Sequence, residues 1–158
     1  MKNEMANKDM NNRTKAAKKD FVSGLACSQA VLAAFADRYG LTREQALRLA
    51  AGFEGGLGMQ AEVCGALVGV YLVLGLEYGG IDPADLESKR KTAEKVQEAT
   101  ERFRERHQNN ITCRDLLECD ISYQDGLESA IGKRLFKRRC PHFVGDAVQI
   151  AEQLLPEE

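Results

Sequence analysis

Cysteine is the residue type in this chain that is best suited to carry out chemistry. There are five cysteines, and four of them fall where a helix is predicted to begin: Cys27, Cys64, Cys113 and Cys140. Unpaired N–H groups at a helix start stabilise an anion by about 0.3–2 kcal/mol. The positions therefore predict thiols with a lowered pKa, suited to redox chemistry or metal binding.

Each of the four cysteines is marked by a recognisable helix-start signal in the sequence. The signals are glycines, a capping threonine and a first-turn proline: Gly24 before Cys27, Gly58 before Cys64, Thr112 before Cys113, and Pro141 after Cys140. The fifth, Cys119, follows Glu118 at a predicted helix end, where the dipole opposes ionisation. We therefore leave it out of the set.

The spacing of the cysteines excludes two common motifs. No pair is separated by two residues, so neither a thioredoxin motif nor a zinc ribbon is indicated. The polar N-terminus lacks the apolar segment of a secretory signal, which predicts the cytoplasm, where thiols are kept reduced. Any partnership among these cysteines must therefore come from the fold.

Three functions remain open for the four cysteines. The leading hypothesis is a thiol redox protein, a candidate thiol–disulfide oxidoreductase, which exchanges electrons with a partner protein or a small thiol. The first alternative is a zinc or iron–sulfur site, with His142 as a further ligand or a proton acceptor. The second is a helical interaction protein with inert thiols. For a redox protein we favour Cys27 with Cys64, and Cys113 with Cys140.

A glycine-rich loop precedes Cys64 and is a candidate cofactor cradle. Gly55, Gly56 and Gly58 would allow a close approach of the backbone to a small molecule. However, the loop follows a predicted helix rather than a strand, and it lacks the Lys-Ser/Thr of a P-loop. Nucleotide binding is therefore the weaker interpretation of this loop.

The elements that must position these residues are all predicted to be helical. Helix-forming residues dominate, and alternating β-branched runs are lacking. We predict an all-α bundle of seven to eight helices in a single domain at 11–156, after a disordered or frayed 1–10. The predicted helices are 12–23, 26–36, 42–53, 61–77, 82–108, 113–117, 126–138 and 144–155. The helix at 61–77 is apolar on every face, which predicts that it lies at the centre.

The bulk composition excludes several classes of partner. A net charge of −2 gives no indication of nucleic-acid binding. No apolar run reaches the ~20 residues of a membrane span. We predict no nucleic-acid or membrane partner, whereas a homo-oligomer remains open.

The sequence resembles the redox-active C_GCAxxG_C_C family, which is defined by four cysteines. The matching segments lie over roughly residues 15–155: 24–31, the glycine loop 53–58, 64–69, 113–117 and 140–144. One departure concerns the second cysteine, because the family name has a glycine before it, whereas here Val63 precedes Cys64 and Gly65 follows it. The resemblance implies redox activity associated with a transport or oxidoreductase system.

Overall fold

The computed structural model describes residues 2–157, and this part of the chain is built from α-helices. The all-α fold class is thus confirmed. Nine helices are seen among the described residues: α1 Lys2–Val22, α2 Cys27–Ala33, α3 Arg43–Ala50, α4 Gly65–Tyr78, α5 Leu86–Arg106, α6 Cys113–Leu117, α7 Gln124–Gly132, α8 Leu135–Arg138 and α9 Cys140–Leu154. A short turn at Glu54–Leu57 is not counted, because Gly55 and Gly56 within it have positive φ.

Helix α4 lies at the centre of the bundle, as its apolar sequence predicts. It packs against α2, α5 and α9. Its side chains at Leu67, Val70, Val73 and Leu74 are fully buried. The helix begins at Gly65 rather than near residue 61, because residues 61–64 instead lie alongside residues 111–114.

Helix α1 begins at Lys2, about ten residues before the predicted start near Asn12. The predicted start is wrong because residues 2–11 contain neither glycine nor proline, so nothing in them stops a helix. Further along, α1 packs against α9, and Ala17 is fully buried. Fraying of residues 1–10 stays a prediction, and Met1 lies outside the described residues.

The segment predicted as one helix at 126–138 forms two helices, α7 and α8. Arg134 interrupts it with a left-handed backbone, at φ 56°. Gly132 lies just before the break, and glycine stabilises a helix less than other residues do, so the helix ends readily at this point. The break places Leu135 in the core, where 7% of it is exposed. The last helix begins at Cys140 rather than near residue 144.

In the part of the chain that the structure describes, no helix combines the length and the apolar character needed to cross a membrane.

Candidate functional site

The four candidate cysteines all lie at helix starts in the folded chain. Cys27, Cys113 and Cys140 are the first residues of α2, α6 and α9, and Cys64 is the residue that caps α4. Thr112 caps α6 as predicted, since its hydroxyl accepts a hydrogen bond from the N–H of Asp115 at 3.2 Å. The four cysteines therefore stand at helix starts in the structure, as the sequence predicts.

Two of the cysteines are placed side by side by a short antiparallel pairing. Val63 and Thr112 form an isolated bridge. The N–H of Cys64 donates to the carbonyl of Ile111 at 2.8 Å, and the N–H of Cys113 donates to that of Glu62 at 2.7 Å. Because side chains alternate along paired extended segments, Cys64 and Cys113 project to the same side.

The glycine loop brings backbone close to Cys27. The N–H of Gly55 interacts with the Cys27 sulfur and lowers its pKa. A Cβ placed on Gly65 would lie 2.5 Å from the Sγ of Cys27, so this sulfur rests against the first residue of α4. The glycine at position 65 is thus required by the close approach of Cys27.

The loop itself is folded tightly by left-handed backbone. Gly55, Gly56 and Gly58 have φ values of 62°, 75° and 70°. A Cβ on Gly56 would come within 2.5 Å of the backbone nitrogen of Glu62. Packing within the loop therefore accounts for these glycines, and their role in holding a cofactor stays a prediction.

One small cavity is lined by all four cysteines. It has a volume of about 20 Å³, and besides Cys27, Cys64, Cys113 and Cys140 its wall is formed by four residues: Gly65, Leu116, Leu117 and Phe143. All five cysteines of the chain carry free thiols in this structure. The fold therefore gathers thiols from four distant segments around a space about the size of one water molecule.

The predicted lowering of the thiol pKa values is wrong. Burial raises the pKa of Cys27, and it raises the pKa of Cys113 to about 12. The pKa of Cys64 is raised well above the ordinary value, and that of Cys140 is also raised, again because of burial. The loss of hydration destabilises each buried thiolate more than the helix-start N–H groups stabilise it.

The helix-start N–H groups do act in the predicted direction. Hydrogen bonds from the N–H groups of Ser28 and Gly55 lower the pKa of Cys27, and those of Ala66 and Leu67 lower that of Cys64. The dipole argument is therefore right in sign, although burial is the larger effect at both thiols.

A negative charge on Cys27 would affect the other three thiols of the cavity. Besides burial, the charge of a Cys27 thiolate raises the pKa of Cys64, Cys113 and Cys140. Electrostatic coupling of this kind is strong only at short range. Cys27 is thus the common neighbour within the group, and ionising it first suppresses ionisation of the rest.

Basic residues near the cysteines contribute less than the sequence suggests. Arg114 lowers the pKa of Cys113, although it also pairs with Glu62 at 2.8 Å. Arg139 pairs with Glu118 at 2.7 Å and donates to the carbonyl of Leu116. The Arg139 guanidinium is therefore engaged by the end of α6 and the residue that follows it, and it is not among the groups that shift the Cys140 pKa.

A second, larger pocket reaches three of the same cysteines. It has a volume of about 470 Å³ and is lined by Cys27, Cys113 and Cys140, with mostly apolar walls: Phe21, Val22, Leu25, Ala26, Met59, Leu127 and Phe136. Glu54 and Lys137 contribute charge to this lining. We call it the apolar pocket. It provides a route by which a molecule of moderate size can contact three of the thiols, whereas Cys64 lines only the small cavity.

Two other candidate residues lie away from the cavity. Cys119, left out of the set, donates a hydrogen bond from its thiol to the carbonyl of Gly126 at 3.0 Å. His142 was predicted as a ligand or proton acceptor beside Cys140, but its side chain is 66% exposed and its Nε2 lies 3.5 Å from Asp146 Oδ2. The structure does not bring His142 to the thiols.

The spacing of the sulfur atoms does not match a ready-made four-thiolate metal site. In a tetrahedral zinc site with bonds of 2.3 Å, the sulfur atoms lie ~3.8 Å apart. Within residues 2–157, three potential ligand atoms lie within 4.8 Å of one another at only one place, and no cysteine belongs to it. Among the described residues, no three of the sulfur atoms therefore lie as close to one another as a bound zinc ion requires.

Comparison with known protein families assigns the chain. Residues 25–154 match the family model described as "Putative redox-active protein (C_GCAxxG_C_C)". The chain belongs to this family. The match includes all four cysteines of the cavity, so the resemblance noted in the sequence is confirmed. Comparisons with curated proteins and with solved structures found no match.

Sequence reasoning missed one cluster of chemically active side chains. His107, His142 and Asp146 place one ligating atom each within 4.8 Å of the others. His107, which directly follows the charged helix α5, is buried, with 7% of it exposed. The spacing of His142 and Asp146, four residues apart on one helix face, is the signal that was available.

Proposed function

We propose that this protein is a thiol–disulfide oxidoreductase whose four clustered cysteines exchange electrons with a disulfide-bearing partner. The observation that carries the proposal is the single cavity lined by Cys27, Cys64, Cys113 and Cys140. Unrelated buried thiols have no reason to collect at one point from four distant helix starts. Membership of a family described as redox-active agrees with this use of the cysteines.

Cys27 is the thiol best suited to make the first attack. Like Cys113 and Cys140, it lines both the small cavity and the apolar pocket, but it alone of these three has N–H groups that lower its pKa. Burial raises its pKa, but N–H groups of Ser28, Gly55 and Cys27 itself act against that rise. A nucleophile needs both access to the substrate and stabilisation of its thiolate. Cys64 is deeper, with 5% exposed, and suits the second attack.

The proposed reaction transfers two electrons to a disulfide. The Cys27 thiolate attacks one sulfur of the substrate disulfide, which breaks, and the departing thiolate takes up the proton that Cys27 lost. A second cysteine then attacks the Cys27 sulfur of the mixed disulfide. This forms a disulfide within the protein and releases the second substrate thiolate, which takes up the second proton. The reverse reaction regenerates the two thiols.

Cys64 is the proposed partner of Cys27, with Cys113 and Cys140 as the second pair. The Cys27 sulfur lies against Gly65, the residue next to Cys64. A disulfide requires Cα atoms about 4.4–6.8 Å apart, and this proximity favours the pair. The partner molecule would be a protein or small thiol that enters through the apolar pocket. Its place in a transport or oxidoreductase system, and a cytoplasmic location, stay predictions.

Thiol titration with peptide mapping tests the proposal. The reduced protein is exposed to an oxidised small-molecule dithiol, the remaining thiols are counted, and the disulfides are located by mass spectrometry. We expect two or four thiols to be lost, and a dithiol reductant to restore them. Cys27→Ser should block formation of the first disulfide, whereas the matched control Cys119→Ser should leave it unchanged.

Two results would overturn the proposal. One is a folded protein that keeps all five thiols under this oxidant. The other is oxidation that proceeds equally in the Cys27→Ser variant. The alternative zinc or iron–sulfur site predicts stoichiometric metal in the purified protein and protection of the thiols until a chelator is added. The inert alternative predicts thiols that react only on unfolding.

A further inference from the structure

A group of three potential metal ligands lies where the end of α5 meets α9. His107 directly follows α5, and His142 and Asp146 lie one turn apart on α9. Asp146 Oδ2 is 3.2 Å from His107 Nε2 and 3.5 Å from His142 Nε2. The three atoms all lie within 4.8 Å of one another. Two imidazoles and a carboxylate at this range form a compact donor set.

Two of the three distances in this group match those between the ligands of a tetrahedral metal ion. Nitrogen and oxygen ligands bound at 2.0–2.2 Å in a tetrahedron lie ~3.3 Å from each other. The two measured distances to Asp146 Oδ2 lie on either side of that value. The ligating nitrogens of His107 and His142 lie within 4.8 Å of each other, and the exposed His142 side chain can move to bring all three atoms to one ion.

His107 has a buried nitrogen whose contact with its nearest acceptor is poorly aligned for a hydrogen bond. Its side chain is 4% exposed, and its Nε2 lies 3.2 Å from Asp146 Oδ2 without meeting that oxygen in a well-aligned hydrogen bond. An unsatisfied polar atom in the interior is costly, and native proteins rarely keep one without a reason. This nitrogen lies beside the Asp146 carboxylate and the His142 ring, so a cation held there would satisfy it.

The surroundings hold two of the three ligands in place. The His107 ring packs against Phe103 at a centroid distance of 4.3 Å and meets Phe143 edge-on at 5.1 Å. Arg106 lies 3.3 Å from Asp146 Oδ1, the other carboxylate oxygen, and leaves Oδ2 facing the histidines. Such outer contacts fix the orientation of metal ligands. The nearby arginine charge will also lower the affinity for a cation.

One side of the group is open to a pocket of about 450 Å³. His107 and His142 line this pocket, together with Arg106, Arg138, Arg139 and Glu118. The side chain of His142 is 66% exposed. Three protein ligands with an open fourth position are typical of catalytic rather than structural zinc sites. The pocket leaves space for water or an anionic ligand at that position.

We propose that His107, His142 and Asp146 bind a divalent transition-metal ion of the zinc type, with a fourth position open to the pocket. Imidazole nitrogen and carboxylate oxygen suit Zn²⁺ and Co²⁺ better than they suit a hard cation such as Ca²⁺. The site is distinct from the cysteine cavity, although Leu116 and Phe143 line both spaces. The proposal does not depend on the thiol function.

Metal titration of the full chain under reducing conditions tests the proposal. Zn²⁺ binding is measured by calorimetry, and Co²⁺ binding by visible absorption, with the five thiols kept reduced. We expect one equivalent of Co²⁺ to give the absorption of nitrogen and oxygen ligation without a thiolate-to-cobalt charge-transfer band. His142→Ala should weaken binding at this site by at least tenfold, and Asp146→Asn by a similar factor.

Two control variants separate this site from its neighbours. Glu118→Gln changes a residue that lines the same pocket but does not belong to the group, and it should leave the affinity unchanged. Cys140→Ser should also leave it unchanged. Because His142 is largely exposed, its alanine variant should fold even if Asp146→Asn does not. The proposal is overturned if the wild-type chain shows no binding outside the thiols, or if His142→Ala binds as tightly as the wild type.

Discussion

The cysteine cavity and the His107–His142–Asp146 group place reactive side chains in different surroundings. The cavity is about 20 Å³, with walls of thiols, Leu116, Leu117 and Phe143. The histidine group opens onto a pocket of about 450 Å³ whose lining includes three arginines. Ionisation is opposed at the thiols by loss of water, whereas Asp146 of the histidine group, although mostly buried, is paired with Arg106 at 3.3 Å. The difference shows that reactivity in the cavity must be controlled by access as well as by pKa.

The largest expected effect is on the reactivity of the two regions toward small reagents. Because burial raises the pKa of Cys113 to about 12, its thiolate at pH 7 is scarcer than in an unfolded chain by about 10³-fold. Alkylation of this thiol should be slower by about that factor, and its rate should keep rising with pH beyond 9. His142 should react readily with an imidazole reagent. Peptide mapping of both modifications measures this, and equally fast alkylation of folded and unfolded protein would contradict it.

The same burial predicts a loss of stability at alkaline pH. The folded pKa of Cys113, about 12, lies above its value of about 8.5 in the unfolded chain, so the unfolded state releases its proton first. Stability from this thiol is complete below pH 8.5 and is lost as the pH rises toward 12, by up to about 1.4 kcal/mol per pH unit. Urea unfolding from pH 7 to 11 measures it. Cys113→Ala should show a shallower decline, and an identical decline would argue against the buried thiol as its cause.

A pair of glycine substitutions in α4 tests how tightly the cavity is packed. Gly65→Ala would place a methyl group 2.5 Å from the Cys27 sulfur and 2.7 Å from the carbonyl oxygen of Phe53. We expect a loss of about 1–3 kcal/mol in the free energy of unfolding. Gly75→Ala, in the same helix, meets no atom within 4 Å and should gain up to about 1 kcal/mol. Chemical denaturation of both variants measures these changes. Similar free energies of unfolding for the two would mean that the wall of the cavity can move to accommodate the added methyl group.

The stability contributed by a polar side chain next to Cys27 can be compared with that contributed by one in the histidine group. Ser28 is fully buried, and its hydroxyl donates to the carbonyl of Ala50 at 2.8 Å. Ser28→Ala should cost about 1–2 kcal/mol, because the carbonyl loses its buried donor. His142→Ala should change stability by less than about 0.5 kcal/mol in the absence of metal, since the side chain is mostly exposed. Thermal unfolding with a chelator present compares them. A larger loss of stability in His142→Ala than in Ser28→Ala would contradict this prediction.

The smallest expected effect concerns the ion pair at the edge of the cavity. Arg114 and Glu62 lie 2.8 Å apart, with side chains 37% and 47% exposed. Arg114→Gln should therefore leave the free energy of unfolding almost unchanged. Since Arg114 lowers the pKa of Cys113, its removal should slow alkylation of that thiol a few-fold at fixed pH. Unchanged alkylation would show that water screens the guanidinium from the sulfur.

Local signals in the sequence predicted most of the secondary structure at the site. The span of α6, Cys113–Leu117, and its cap at Thr112 follow from neighbouring residues alone, and both are as predicted. Caps and breaks can be read this way because each depends on atoms within one turn of the chain. The all-α fold and the central place of α4 follow from patterns of the same short range.

Three features of the site depend on contacts between segments that are distant in the sequence, so local signals did not predict them. The start of α4 moved to Gly65 because residues 61–64 pair with residues 111–114, and no pattern within 61–77 encodes that pairing. Similarly, His107 lies beside Asp146 only because α5 and α9 meet at that point. The apolar pocket also gathers side chains from several separate segments.

The sequence by itself determined that four cysteines begin helices and that N–H groups there favour their thiolates. Only the tertiary structure decided that the four thiols share one cavity and that their pKa values rise rather than fall. The physical reason is one of range. A helix start acts on a sulfur through the few N–H groups beside it, whereas the loss of water around that sulfur depends on every segment that packs over it.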